Sequence, residues 1–149
     1  MTAGWLLDTN VISATAPDRN PVPSAEKLRA RAWIRANEAR LFLPVTAVAE
    51  IAAGIGAREA SGATRHARDL AAWLAALLGT HPDRVLPFDA VAALQSRALT
   101  ARARAAGIDP GFADLTVACI ARANDLAVAT RNLRHFLPMG VAAVDPFAA

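Results

Sequence analysis

Three acidic residues differ from the other acids of the chain because their sequence surroundings are apolar. Asp8 directly follows the apolar run WLL, Glu50 lies within the segment AVAEIAA, and Asp114 is the only acid of the segment FADLTVACIA. Burying a carboxylate costs several kcal/mol unless it is paired or bound to a metal ion. The sequence therefore predicts a functional site built from these acids.

Each of these acids also has a purely structural interpretation. Asp8 could cap the turn after its strand through the amides of Asn10 or Val11. Glu50 could pair with a buried arginine. Asp114 lies in the first turn of its helix, where the helix dipole favours an anion by about 0.3–1 kcal/mol. Both interpretations stay open for each acid taken singly, whereas three such acids together favour a site.

The donor types predict which metal such a site would take. Carboxylates without accompanying histidine or cysteine clusters are hard oxygen ligands, which favour Mg²⁺ or Mn²⁺ over zinc. The sequence contains no glycine-rich phosphate loop and no nucleophile elbow. The histidines are scattered and none is spaced from Cys119 as a metal ligand would be: His66, His81 and His135.

Most of the other acids have ordinary explanations. Asp89 follows a predicted strand and opens a predicted helix, so we expect it to be an N-cap. Asp109 precedes a proline and is expected to begin a turn or cap the next helix. We expect solvated charge at the acids in loops or on polar helical faces: Asp18, Glu26, Glu38, Glu59, Asp69 and Asp83.

Strand and helix patterns alternate along the chain, with a loop at 17–23. Short apolar strands separated by helices predict a parallel sheet covered on both faces, with the active site at the carboxyl ends of the strands. Asp8 lies at such an end. The predicted strands are 5–8, 41–44, 84–89, 126–130 and 141–144. The predicted helices are 24–39, 46–57 beginning with the capping residue Thr46, 61–78, 90–106 and 112–124, with a short helical turn at 131–136.

Length and composition describe a single globular domain, residues 1–149. The chain is 54% hydrophobic and 19% charged, which excludes a disordered protein. Its single cysteine, Cys119, cannot form an intramolecular disulfide and favours a reducing compartment. No secretory signal or membrane-spanning segment is evident, so we expect a cytoplasmic protein. The net charge of +3 fits nucleic-acid binding, but arginine-rich, alanine-rich composition from a GC-rich coding sequence explains it equally well.

Five motifs in order give the chain a family resemblance: LLDTNVIS, TAVAEIAAG, LPFD, FADLTVACIA and ATRNLRHF. Over essentially its whole length the sequence resembles the PIN-domain ribonucleases, most closely the VapC toxins of the subgroup that includes FitB. The resemblance implies an α/β/α sandwich with a mostly parallel central sheet. It also implies an acidic site that binds Mg²⁺ or Mn²⁺ and cleaves RNA by metal-assisted hydrolysis.

The motifs also assign roles to individual residues. The resemblance implies that Asp8, Glu50 and Asp114 are the catalytic, metal-binding acids. It implies supporting roles for four further residues: Thr9 and Asn10 in the loop after the first strand, Thr130 at the end of the fourth strand, and Asn132 beyond it.

One departure from the family pattern lies in the segment RNLRHF. Many relatives carry a further acid there, at one of the positions that Asn132 and His135 occupy in this chain. The carbonyl of Asn132 could bind a metal-held water, or its side chain could cap the short helical turn. Arg131 and Arg134 could hold the RNA backbone, although a solvated surface position is an equally good interpretation of each.

The resemblance further implies an RNA substrate, a cognate small antitoxin, a homodimer, and contact with DNA only through the antitoxin. The main rival is a degenerate PIN domain that binds its antitoxin without cleaving RNA, which the missing fourth acid favours. A phosphatase with Asp8 as nucleophile is a weaker rival. That chemistry needs a second acid two residues on, where this chain has Asn10.

Overall fold

A five-stranded parallel sheet forms the centre of the protein. The structure is a computed structural model and describes residues 2–148. The strands are β1 (Trp5–Leu7), β2 (Leu41–Pro44), β3 (Val85–Leu86), β4 (Ala127–Ala129) and β5 (Ala143–Val144). Their spatial order is β3-β2-β1-β4-β5, and every neighbouring pair is parallel. The parallel sheet of an α/β sandwich, predicted from the sequence, is confirmed.

Helices connect the strands and flank the sheet. They are α1 (Thr9–Ser13), α2 (Ala25–Asn37), α3 (Val45–Ala60), α4 (Thr64–Thr80), α5 (Ala90–Leu94), α6 (Ser96–Ala105), α7 (Phe112–Ala123) and α8 (Leu133–Phe136). Short 3₁₀ turns occupy Glu38–Arg40, Pro82–Arg84 and Leu137–Met139. The predicted cap at Asp89 is confirmed, since its side chain accepts from the Ala92 amide at the start of α5. At the start of α2, Ser24 accepts from the Lys27 amide in the same way.

The core has a cluster on each face of the sheet because successive strand residues point to opposite faces. Leu6 and Val128 belong to one cluster, which includes Phe136 and the buried residues of α6 and α7. Leu7 and Ala129 belong to the other, together with buried residues of α1, α2 and α3. Each central strand is therefore apolar on both faces, as expected for a buried parallel sheet.

Two assignments near the first two strands differ from the sequence prediction. Residues Thr9–Ser13 form a helix where a loop was expected, because the Asp8 side chain caps it by accepting from the Thr9 amide. Helix α3 begins at Val45 with Pro44 as its N-cap, so Thr46 does not cap it. Instead, the Thr46 hydroxyl accepts a hydrogen bond from Thr116 at 3.1 Å. The first helical turn after β2 is thereby tied to α7.

Two helices in the middle of the chain also differ. The helix predicted at 61–78 begins at Thr64, because Gly62 adopts a φ of 92° and ends the preceding helical run. The helix predicted at 90–106 is two helices that meet at Gln95, whose amide donates to the carbonyl of Ala92 three residues back. Such a tightened turn changes the hydrogen-bond register without a proline or glycine.

The apolar stripe of α4 packs mainly into the core. Leu70 and Leu74 are each 8% exposed and contact the cluster that contains Ile55 and Ala67. Within residues 2–148, no helix combines the length and hydropathy that crossing a membrane would require.

Candidate active site

Asp8 is a buried carboxylate at the carboxyl edge of the sheet. Its backbone amide donates to the carbonyl of Ala129, which places it beside the end of β4. Its Oδ1 accepts from the Thr9 amide at 2.8 Å, and its Oδ2 accepts from the Thr130 hydroxyl at 2.7 Å. The Asn10 side-chain amide donates to Oδ2 at 3.3 Å. Asp8 therefore caps the turn after its strand, as one of the two sequence interpretations proposed. The side chain does so through the amide of Thr9 and not through those of Asn10 or Val11. Its other oxygen accepts hydrogen bonds from α1 and from the segment after β4.

Burial raises the pKa of Asp8 above its ordinary value, and this desolvation is the largest effect on it. The hydrogen bonds from Thr130 and Thr9 favour the ionised form and oppose this shift. The negative charges of Asp114 and Glu50 raise the pKa further. The three predicted acids are therefore close enough to interact electrostatically.

Asp114 lies in the first turn of α7, on the same edge of the sheet, because α7 runs back toward the start of β4. Its side chain is 21% exposed. Its Oδ2 is 2.7 Å from Nδ1 of His135, which lies on α8. A histidine therefore contacts this acid from one of the two positions at which the family resemblance implies a further acid.

Glu50 is exposed, contrary to the expectation that its helix would bury it. The neighbouring Ala49, Ala52 and Ala53 are exposed as well. Alanine favours the helix but brings little apolar surface, so an alanine-rich face does not by itself require burial. Glu50 nevertheless faces the site, since the Thr9 hydroxyl donates to its Oε2 at 3.2 Å.

The predicted supporting residues connect α1 to the segment after β4. The Asn10 Oδ1 accepts from the Arg131 amide at 3.2 Å. The Thr130 hydroxyl accepts from the Asn132 amide at 3.0 Å while it donates to Asp8. Asn132 precedes α8, but its side chain makes no capping hydrogen bond, so the capping interpretation of this residue is wrong.

The two arginines of this segment have different surroundings. Arg131 donates to Glu26 at 2.6 Å, and its guanidinium lies 3.9 Å from the centre of the Phe147 ring. Glu26 is thus paired and not a simple solvated charge. Arg134 is exposed on α8, and no ion pair involves it within the described part of the chain.

The donor chemistry of this cluster fits a divalent cation that prefers oxygen ligands. Across residues 2–148, neither lysine nor arginine forms an ion pair with Asp8, Glu50 or Asp114. No group of three or more His, Cys, Asp and Glu side chains in that span is placed to hold a metal ion. The acids therefore provide suitable charge and donor atoms without a complete ligand shell, and their role as metal ligands stays a prediction.

Two features of the site were not predicted from the sequence. The first is the contact between His135 and Asp114. The only sequence feature that could have indicated it is the position of His135 in a helical turn directly after the fourth strand. The second is a cavity of about 570 Å³ beside Thr9 and Glu50. It is bounded by segments far apart in sequence, so no local pattern indicated it. Its apolar lining includes Ile51, Ile55, Leu70 and Trp73.

A parallel sheet whose carboxyl edge carries one acid directly after β1 and others from α3 and α7 defines a known class of protein. The family model for the PIN domain matches residues 5–137. The chain belongs to the PIN-domain family.

Two relatives resemble the chain over nearly their full lengths. The plasmid stability protein StbB of Pseudomonas syringae pv. tomato is 37% identical, over 97% of this chain and 99% of that protein. The VapC ribonuclease Y4jK of Sinorhizobium fredii is 36% identical, over 95% of this chain and 96% of that protein.

Solved structures agree with the fold. The crystal structure of FitAcB from Neisseria gonorrhoeae matches with a TM-score of 0.81 and 28% identity, over 97% of this chain and 99% of that one. The DNA-bound VapBC of Salmonella typhimurium matches with a TM-score of 0.67 at 22% identity, over 96% of this chain and 98% of that one. The second likeness concerns the fold alone.

Proposed function

We propose that the chain is an endoribonuclease that depends on a divalent metal ion and serves as the toxin of a toxin–antitoxin pair. The observation that carries this proposal is the buried Asp8, which shares the sheet edge with Asp114 and Glu50 and has no basic partner in the described residues. Membership of the PIN-domain family and the likeness to a VapC ribonuclease support it.

In this proposal Asp8, Asp114 and Glu50 hold Mg²⁺ or Mn²⁺. When bound, such an ion supplies Lewis-acid chemistry, because it activates water and neutralises charge on the scissile phosphate. Without a cation, three neighbouring carboxylates repel both one another and the RNA backbone. The cluster would thus bind RNA only after its charge has been offset.

The other residues of the site orient these acids. Thr130 and the Thr9 amide fix both oxygens of Asp8, and the Thr9 hydroxyl restrains Glu50. Asn132 would serve as a neutral ligand near the cluster. Arg134 would contact the phosphate backbone, whereas Arg131 would do so only with the guanidinium donors that Glu26 does not use.

The cavity beside Glu50 is the proposed binding site of an antitoxin segment. Apolar side chains form one part of its lining, which also includes basic residues such as Arg19 and Arg58, and Glu50 lines it beside the acidic cluster. An apolar peptide that carries an arginine or lysine would complement both features. A solved neighbour, FitAB, is bound to a DNA fragment, and we propose that this chain reaches DNA only through its partner protein.

Cleavage is tested with the purified chain and a labelled RNA in Mg²⁺, Mn²⁺ or EDTA. We expect cleavage only with metal, and none from Asp8→Asn under the same conditions. Hydrolysis by water does not use the ribose 2′-hydroxyl, so products ending in a 2′,3′-cyclic phosphate would reveal a contaminating ribonuclease. Cleavage that persists in EDTA would contradict the proposal. Tight antitoxin binding without cleavage of any RNA would favour the rival, a binding protein that has lost catalysis.

Partner binding is tested by co-purification with the product of the adjacent reading frame. Val22 lines the cavity and is 79% exposed, so Val22→Asp should weaken the complex without unfolding the chain. Val91→Asp is the matched control, because Val91 is 61% exposed and does not line this cavity. Equal losses for both variants would contradict the assignment of the cavity.

We also propose that the chain forms a homodimer, as the family resemblance implies. Light scattering across a concentration series checks this. A monomer at every concentration, with and without the antitoxin, would contradict it.

A further inference from the structure

His135 makes a direct contact with one of the proposed metal-binding acids. Its Nδ1 is 2.7 Å from Asp114 Oδ2, and the two side chains are 38% and 21% exposed. An ionised carboxylate can only accept hydrogen bonds, so the imidazole is the donor. Asp114 Oδ1 makes no hydrogen bond to any residue within 2–148. One oxygen of Asp114 is thus held while the other stays open to a ligand.

The helix that carries His135 is held in place without the imidazole. The next residue, Phe136, is fully buried in the core. The His135 backbone amide also donates to the carbonyl of Asn132 at 2.9 Å. The imidazole contact is therefore an addition to a segment whose position is already fixed by packing and backbone hydrogen bonds.

The same segment also provides a donor to the first acid. Thr130 donates to Asp8 Oδ2 at 2.7 Å, the same distance that separates His135 from Asp114. The stretch from Thr130 to Phe136 thus offers one side-chain donor to the acid that follows β1 and another to an acid of α7. Outer hydrogen bonds of this kind orient the ligands of metal sites.

We infer that His135 is a positioning residue that fixes Asp114 for a divalent cation. This inference rests on the proposed function. It assigns His135 to the orientation of a ligand, not to direct metal binding. If this inference is correct, the hydrogen-bond donor to Asp114 must lie at the position of Nδ1. Substitutions that place a donor at Nδ1 or at Nε2 therefore test it.

The test compares three substitutions of His135 by calorimetric titration of the full-length protein with Mn²⁺ alone. Asparagine places an amide donor near the position of Nδ1, whereas glutamine places one near Nε2. We expect His135→Ala and His135→Gln to weaken Mn²⁺ binding about tenfold, while His135→Asn stays close to the wild type. His81→Ala is the matched control, since His81 is 41% exposed and lies 3.9 Å from an acid remote from the site, Glu38.

The outcomes separate this inference from the proposed function. Unchanged Mn²⁺ binding by folded His135→Ala would overturn the positioning role and leave the metal site intact. If His135→Gln kept the Mn²⁺ affinity of the wild type and His135→Asn lost it, the positioning role would be overturned as well. That result would show that the donor must lie at the position of Nε2. If the wild type binds no Mn²⁺, both proposals fail. Should His135→Ala not fold, the comparison of His135→Asn with His135→Gln decides the question.

Discussion

Two aspartates ten residues apart, Asp8 and Asp18, have opposite electrostatic surroundings in the same fold. Asp18, in the loop before α2, is held by Lys27 and by Arg31, whose Nη2 lies 2.9 Å away. Asp8 is buried and receives only neutral donors from Thr9, Asn10 and Thr130. At Asp18 the chain neutralises its own acid, whereas at Asp8 the negative charge is left for something else to offset.

The two pKa shifts express this difference. Hydrogen bonds from Lys27 and then Arg31 lower the pKa of Asp18, while burial is the main cause that raises the pKa of Asp8. Ionised Asp18 therefore stabilises the fold above the ordinary pKa of 3.8, and this contribution is lost as the pH falls through the lower folded value. Ionisation of Asp8 destabilises the metal-free fold as the pH rises from 3.8 through its raised folded value.

The largest effect should come from exchanging each carboxylate for its amide. Asp8→Asn is expected to lower metal-dependent RNA cleavage by at least about 100-fold, because a metal ligand contributes several kcal/mol to the transition state. Asp18→Asn should leave cleavage near the wild-type rate but lower the thermal midpoint, since it removes the carboxylate shared by two ion pairs. Rate measurements and thermal melts of both variants check this. Equal losses of cleavage would remove the contrast between the two acids.

A smaller effect is expected from Thr130→Val, which retains the shape of the side chain but removes the hydroxyl. Asp8 Oδ2 then loses its closest donor, and the Asn132 amide loses its acceptor. We expect about a tenfold loss of cleavage together with weaker Mn²⁺ binding. Thr15→Val is a suitable control, since that hydroxyl donates to the Ile12 carbonyl. Unchanged Mn²⁺ affinity in Thr130→Val would show that the donor does not orient the acid.

Adding an acid near the cluster around Asp8 should strengthen metal binding, the opposite of removing one. Asn132→Asp adds negative charge to a region whose three acids have no lysine or arginine partner among the described residues. We expect up to roughly fivefold tighter Mn²⁺ binding, in line with the 0.2–1 kcal/mol typical of exposed charge pairs. Cleavage at low metal should rise more than cleavage at saturation. Identical metal midpoints for wild type and variant would exclude a role for this position near the ion.

The smallest effect concerns stability without metal. At pH 7 in EDTA, Asp8→Asn should melt at a slightly higher temperature than the wild type, because it removes a buried charge whose neighbours, Asp114 and Glu50, repel it. The loss of an acceptor for Thr130 partly offsets this gain. Below about pH 3.8 the advantage should vanish, as the carboxyl is then protonated in both the folded and unfolded chain. Thermal melts from pH 3 to pH 8 measure it. A stability advantage of Asp8→Asn that grows as the pH falls would contradict the expected direction of this pH dependence.

The sheet was predictable because its strands are short apolar runs bounded by helices. All five strands lie within their predicted ranges, although β3 contains only Val85–Leu86. The split of the helix at Gln95 was not predictable, since neither proline nor glycine marks it. The α1 helix was missed because one capping side chain, Asp8, decides whether so short a segment is helical.

The sequence allowed the burial of Asp8 to be inferred, but it did not allow the exposure of Glu50 to be inferred. At Asp8 the preceding strand is central and apolar on both faces, so the next residue must lie at the sheet edge. At Glu50 the surrounding alanines are compatible with either exposure or burial. The contacts of His135 and Arg131 depend on packing between segments 21 and 105 residues apart, which no local pattern encodes.

The hydrogen bond between Thr130 and Asp8 joins residues 122 positions apart. At the usual synthesis rate of about 5–20 residues per second, roughly 6–25 s separate their appearance on a ribosome. During that interval the first strand has no β4 beside it, and Asp8 lacks its closest donor. The order of translation thus delays assembly of the acidic edge until the last part of the chain has been made. A nascent chain that stops before β4 cannot complete the site, whatever metal ions surround it.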